Sequence, residues 1–197
     1  MNAPLAAGFV DPVHDAQRAF RAALDALARP GRVVILGDAI AGLDIQPAMA
    51  HLLLALTDDD TRVWWQRNDP AVAQWLRFHT GASAAGRADQ AAFAAIADPL
   101  TMPSLDAFAQ GTAVAPEFST TLMVEVPSLD QGPALQWHGP GIRETRSVRI
   151  DGLPAAFWAQ WQANHAAFPQ GVDLVFTCGS RAIGLPRTTR VGRLEGI

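Results

Sequence analysis

The chain has 197 residues, 49% of them apolar and 17% charged, with a formal net charge of −4; this suffices for a sizeable core and argues against disorder. All 15 basic residues are arginine, which excludes the lysine aldimine of a pyridoxal-phosphate (PLP) enzyme and the phosphate-gripping lysine of a P-loop nucleotidase. The acidic balance and the want of any basic run exclude a general nucleic-acid-binding surface.

In chain order, Met1-Asn2-Ala3-Pro4 lacks the positive start and apolar stretch of a secretory leader. Asp11-Pro12 opens a first helix as N-cap and first-turn proline, and Pro30-Gly31 stops it. Its expected core stripe is Val13, Ala16, Phe20, Leu24 and Leu27, with Arg18, Arg21, Asp25 and Arg29 opposite. Val33 to Leu36 reads as a strand and Pro47 to Leu56 as a mostly buried helix; its run Leu52 to Leu56 is too short to span a bilayer. Arg62 to Trp65 is a short strand, and Asp69-Pro70 caps a helix bearing Val72, Trp75, Leu76 and His79 on one stripe. Ala91 to Ile96 reads as a strand and Pro103 to Ala109 as a short helix. Strands then dominate: Thr120 to Val126, Ala134 to His138, Ser147 to Ile150, Val172 to Thr177, and a short one around Ile183. Between them a helix beginning at Pro154 carries Phe157, Trp158, Trp161 and His165 on one face. The alternation predicts one domain over residues 1–197, a layered αβα arrangement around a mixed sheet.

The five histidines are scattered without metal-ligand spacing. Cys178 alone permits no internal disulfide, so a cytoplasmic location is expected; at the end of an apolar strand it reads as a buried, inert thiol. Gly139-Pro140-Gly141 lacks the third glycine and following helix of a dinucleotide fingerprint.

Four segments stand out. Arg77-Phe78-His79-Thr80-Gly81 reads as a packed helix end with a glycine C-cap, or as an anion clamp of Arg77, His79 and Thr80. The polar loop Gly111 to Thr121 offers Glu117 as an acid or, with Thr112, as a ligand-positioning group, or is a solvated turn. His138 to Ile142 is sufficiently explained as a reverse turn. Leu185 to Arg190 sets Arg187, Thr188 and Thr189 in a row, suited to phosphate or phosphonate oxygens, or forms an edge strand with outward polar residues.

Taken in order, a set of short matches resembles one family. They are Asp15-Ala16-Gln17, Phe20-Arg21, Pro30-Gly31, Leu53-Leu54, Leu56, Asp60-Thr61, Val63-Trp64, Arg77-Phe78-His79-Thr80, Gly111 to Glu117, Gly139, Gly141-Ile142, Phe168-Pro169, Gly171, Asp173-Leu174 and Pro186-Arg187-Thr188-Thr189. Together they resemble the PhnH subunit of the bacterial carbon–phosphorus lyase system over almost the whole chain. Gln170 and Thr120 depart from the family pattern. The resemblance implies a fold related to the large domain of type I PLP-dependent transferases but without PLP. It implies a homodimer in isolation, and a place beside the G, I, J and K subunits of the lyase complex. There a phosphonate displaces adenine from MgATP, the co-substrate, to give a ribose 1-phosphonate 5-triphosphate. The chemistry falls mainly on the I subunit, so no catalytic residue is assigned, no cofactor is expected on this chain, and neither nucleic acid nor membrane is an expected partner.

Two other readings stay open. One is a pure scaffold that contacts no substrate, with Trp158 and Trp161 as interface anchors. The other is a free-standing enzyme that uses Arg187 and His79 on an anionic substrate.

Overall fold

The computed structural model describes residues 5–193. A seven-stranded mixed sheet forms the middle layer, in the order β1-β9-β8-β5-β4-β2-β3. Its strands are β1 (Val34–Ile35), β2 (Arg62–Trp65), β3 (Ser83–Ala84), β4 (Phe93–Ile96), β5 (Thr121–Glu125), β8 (Asp173–Cys178) and β9 (Arg181–Leu185). The five strands from β8 to β3 run parallel; β9 is antiparallel to β8, and β1 antiparallel to β9. A second, antiparallel sheet has the order β10-β6-β7, from β6 (Ala134–His138), β7 (Arg146–Arg149) and β10 (Arg190–Arg193).

Strand alternation sends successive side chains into two cores. Ala95, Met123, Val175 and Ala182 face one layer, made of α1 (Pro12–Ala28), α2 (Pro47–Leu56) and α3 (Pro70–Thr80). Ile96, Leu122, Val124, Phe176 and Ile183 face the other. That far layer is not helical alone, as the layered αβα expectation had it: α4 (Phe157–Ala166) shares it with the three-stranded sheet, through Leu135, Trp137 and Val148.

Local chemistry fixes the helix ends. Asp11 accepts from the Val13 and His14 amides, Asp69 from those of Ala71 and Val72, and a proline follows each cap. Gly81 closes α3 at φ 83°, a left-handed conformation that donates its amide to the Arg77 carbonyl.

The expected core stripe of α1 is corrected at Val13, Phe20 and Leu24, while Leu27 packs against the core as expected. Val13, Phe20 and Leu24 are 62%, 46% and 53% exposed, whereas Ala19, Ala23 and Ala26 are buried. The helix lies so close to β9 that a side chain on Gly184 would fall 2.5 Å from the Ala26 carbonyl oxygen. The small Ala19, Ala23 and Ala26 pack beneath it, with Leu27 partly buried beside them.

Three further expectations change. Pro103 to Ala109 holds only a 3-10 turn over Leu105–Ala107. There the Gln110 side chain donates to the Leu105 and Phe108 carbonyls, and the Gln160 side-chain Oε1 accepts from the Leu105 amide, so these backbone groups are satisfied without a helix. Trp158 and Trp161 are buried, and Trp161 donates to the Thr189 carbonyl at 3.0 Å, which makes them core and not interface anchors. Leu185 to Arg190 is no polar edge strand: β9 ends at Leu185, a turn closes from the Thr189 amide to the Pro186 carbonyl, and β10 begins at Arg190.

Candidate functional site

The sequence motifs gather along the amino-terminal edge of the parallel strands. At its centre is Arg187, 9% exposed, held by β9 above the start of β8. Its Nε donates to both Asp173 carboxylate oxygens at 3.2 Å, and Nη2 reaches Asp173 Oδ2 at 2.5 Å. Nη2 also bonds Ser119 Oγ, while Nη1 donates to the Pro116 and Pro169 carbonyls at 3.2 Å each. The Arg187 amide adds a bond to Asp173 Oδ1 at 2.7 Å. One guanidinium thus joins the loop before β5, the turn before β8 and the turn after β9. All three of its nitrogens are engaged inside the protein, which leaves no fork for an incoming anion.

The rest of the motif serves the same junction. Thr189 is fully buried with its carbonyl on Trp161. Thr188 is half-buried at the rim. His165 of α4 bonds the Arg187 carbonyl through Nδ1 at 2.8 Å, and Arg190 Nε donates to its Nε2 at 3.3 Å. Gly111, at φ 66°, lies where any side chain would meet the Pro116 backbone at 2.7 Å. Thr112 Oγ1 accepts from the Ala115 amide at 2.9 Å and shapes that loop. Glu117 is exposed on the rim of a shallow depression floored by Arg187 and Asp173.

The other candidate cluster is separate and works on the N-terminal segment. His79 Nε2 bonds the Ala6 carbonyl at 3.1 Å and Trp75 Nε1 that of Ala7 at 2.9 Å. Thr80 Oγ1 donates to the Leu76 carbonyl at 2.9 Å and accepts from Thr57 at 3.2 Å, which secures the end of α3. Arg77 is exposed. It lines a different depression from Arg187. The structure therefore brings together Glu117, Arg187 and Thr188, and leaves Arg77, His79 and Thr80 apart from them.

The opposite, carboxyl-terminal edge is where open α/β sheets commonly place ligands. Sequence reasoning missed it. Glu125, the last residue of β5, lines a narrow crevice there with Arg67, Asp44 and Met49. Burial pushes its carboxyl above the usual glutamate range, against the opposing pull of the Gln46 amide, which donates to Oε1 at 2.8 Å. Arg67 pairs with Asp44 at 3.0 Å. Gln46 extends the chain of contacts by accepting from the Gly179 amide at 2.9 Å. The arrangement can hold a proton and lock the start of α2 to β5. The signal that finds it is positional: an acid at the carboxyl end of β5 and an arginine just past β2, two strands away in the same sheet.

Among the described residues no three His, Cys, Asp or Glu side chains gather as a metal-holding group. Nor is any helix there long and apolar enough to cross a membrane. Cys178 is half-buried, with its thiol 3.4 Å from the Pro127 carbonyl.

The family described as bacterial phosphonate metabolism protein (PhnH) matches residues 7–192. A protein of Rhizobium meliloti (strain 1021), the alpha-D-ribose 1-methylphosphonate 5-triphosphate synthase subunit PhnH, is 40% identical over 188 residues, 94% of each chain. The putative C-P lyase subunit protein HtxG of Stutzerimonas stutzeri is 31% identical over 184 residues, 89% of this chain and 85% of its own.

Proposed function

The chain belongs to the PhnH family of bacterial phosphonate metabolism proteins, and from that premise we propose that it is a non-autonomous subunit of a carbon–phosphorus lyase complex. It acts there in the step where a phosphonate displaces adenine from MgATP to give a ribose 1-phosphonate 5-triphosphate. The observation that carries this reading is the 40% identity, over 94% of both chains, to a protein named as a subunit of the corresponding synthase. Its partners are the G, I, J and K subunits, its compartment is the cytoplasm, and in isolation it pairs with a second copy.

Within that step the role favoured is to hold its partners in register. The engaged guanidinium of Arg187, and its separation from Arg77 and His79, support a scaffold over an anion-binding subunit. A displacement at the ribose carbon needs donors aimed at a triphosphate and an acid for the leaving base; the catalytic groups then belong to a partner. The reading includes kinship with type I PLP-dependent transferases and no PLP site, supported by a chain without lysine.

The test is reconstitution. MgATP and methylphosphonate should release adenine with the full set of subunits, and with neither this chain alone nor the set lacking it. Turnover by the purified chain, or full turnover without it, overturns the proposal.

A further inference from the structure

The seven-stranded sheet ends in two edges, β3 and β1. β3 offers Ser83 and Ala84. β1 lies in the run Val33-Val34-Ile35-Leu36, where no charged residue or proline guards the edge. Val34 stands opposite Ala182 of β9, and the Leu36 amide donates to the Ser180 carbonyl at 2.9 Å, so these two residues turn their backbone groups into the sheet. In an antiparallel ladder the residues between them turn theirs outward. The backbone groups of Val33, Ile35 and Gly37 accordingly make no hydrogen bond among the described residues, and the Ile35 side chain is 65% exposed. An unguarded apolar edge of this kind is a template for a further strand.

The strand that fits this edge is its own copy. Laid antiparallel about a twofold axis at Ile35, the segment sets Ile35 against Ile35, Val33 against Gly37, Val34 against Leu36 and Arg32 against Asp38. Outward-turned residues then meet outward-turned residues, as the exchange of amide and carbonyl requires. A slip by one residue would set outward groups against inward ones and reverse the faces. The flanking charges select the same register. Asp38 forms no ion pair among the described residues. Arg32 shares the Asp25 carboxylate with Arg29, which leaves one of these two arginines in excess. Opposite charges facing across an antiparallel pair favour it, and the twofold axis makes each contact twice.

We propose that two copies of this chain join edge to edge through β1, about a twofold axis at Ile35, into one sheet that runs through both. The proposal rests on the reading that the isolated chain pairs with a second copy, and gives that pair its surface and register.

The experiment measures the dimer dissociation constant by sedimentation, with melting curves to show that each variant is folded. Ile35→Pro keeps the bonds to β9, because the amide it removes points away from the sheet. It strands the facing groups of the second copy and should weaken the dimer about a hundredfold. Asp38→Arg sets arginine against arginine and Arg32→Asp sets acid against acid, so each alone should weaken it about tenfold. Mixed in equal amounts, these two charge variants should recover wild-type affinity as a dimer of one of each, since every facing pair is again opposite in sign. A wild-type chain that stays monomeric at micromolar concentration overturns the proposal and removes the isolated pair from the functional reading. A dimer untouched by Ile35→Pro, or a mixture that pairs no better than its components, overturns the proposal while leaving the pair to another face. None of these outcomes alters the synthase reading, which is decided by adenine release from the reconstituted subunits.

Discussion

Arg187 was legible in the sequence as a residue of consequence, but its role was not. Pro186-Arg187-Thr188-Thr189 has the look of an oxygen-anion site because its partners are remote in the chain: Asp173 sits on the neighbouring strand, and Ser119 and Pro116 lie on a loop far upstream. Removing the guanidinium strands the Asp173 carboxylate, whose side chain is only 22% exposed. We therefore expect Arg187→Ala to lower stability by about 3 kcal/mol, read by urea unfolding. Arg187→Lys should restore only part, since an ammonium cannot span the same partners. A variant that melts like the wild type, yet disables an intact complex, would restore the anion reading. Glu125 makes a second residue-scale case. Burial raises its folded pKa, so the folded protein holds this proton at pH values where the unfolded chain has released it. Its contribution is then complete below the unfolded glutamate pKa and is lost as pH rises through the higher folded value. Glu125→Gln keeps an acceptor for the Gln46 amide and should flatten that decline; melting curves at several pH values would show an unchanged slope if the expectation fails.

Elements bounded by strong local signals were read correctly. Pro47 to Leu56 and Arg62 to Trp65 match α2 and β2 residue for residue, and Asp11 and Asp69 cap α1 and α3 as their sequences imply. Orientation was harder. Periodicity selects the bulkiest apolar row of α1, whereas the sheet selects the row that lets the backbone approach Gly184. Hydropathy ranks alanine low and cannot report closeness. The distinction is measurable: Ala23→Leu should overpack the layer and cost about 1–3 kcal/mol, while Leu24→Ala, one position along, should leave denaturant midpoints nearly unmoved. Asp11→Ala removes the cap and should cost about 1 kcal/mol. Equal effects at Ala23 and Leu24 would mean that the helix is seated differently.

At the scale of the molecule, the mixed sheet with helices packed on it was foreseeable from alternating helices and strands, but the second sheet, which replaces part of the expected helical layer, was not. Ala134 to His138 and Ser147 to Ile150 read as strands like any others, and nothing local says that β6, β7 and β10 form a sheet of their own. Strand order carries the same lesson with more force. β9 lies between β8 and β1, pairing Ala182 with Thr177 on one side and Val34 on the other. On a ribosome, then, β1 emerges early but has no strand beside it until Arg181–Leu185 follows, and α1, which packs on α2 and on β9, lacks part of its seat until then. Folding of this end of the sheet is tied to the arrival of β9, an arrangement of long sequence separation that slows assembly. A chain ended after Gly179 should accordingly be cut quickly by trypsin at Arg18, Arg21 and Arg29, where the full chain resists. Equal resistance would show that the amino-terminal helix finds its seat without β9.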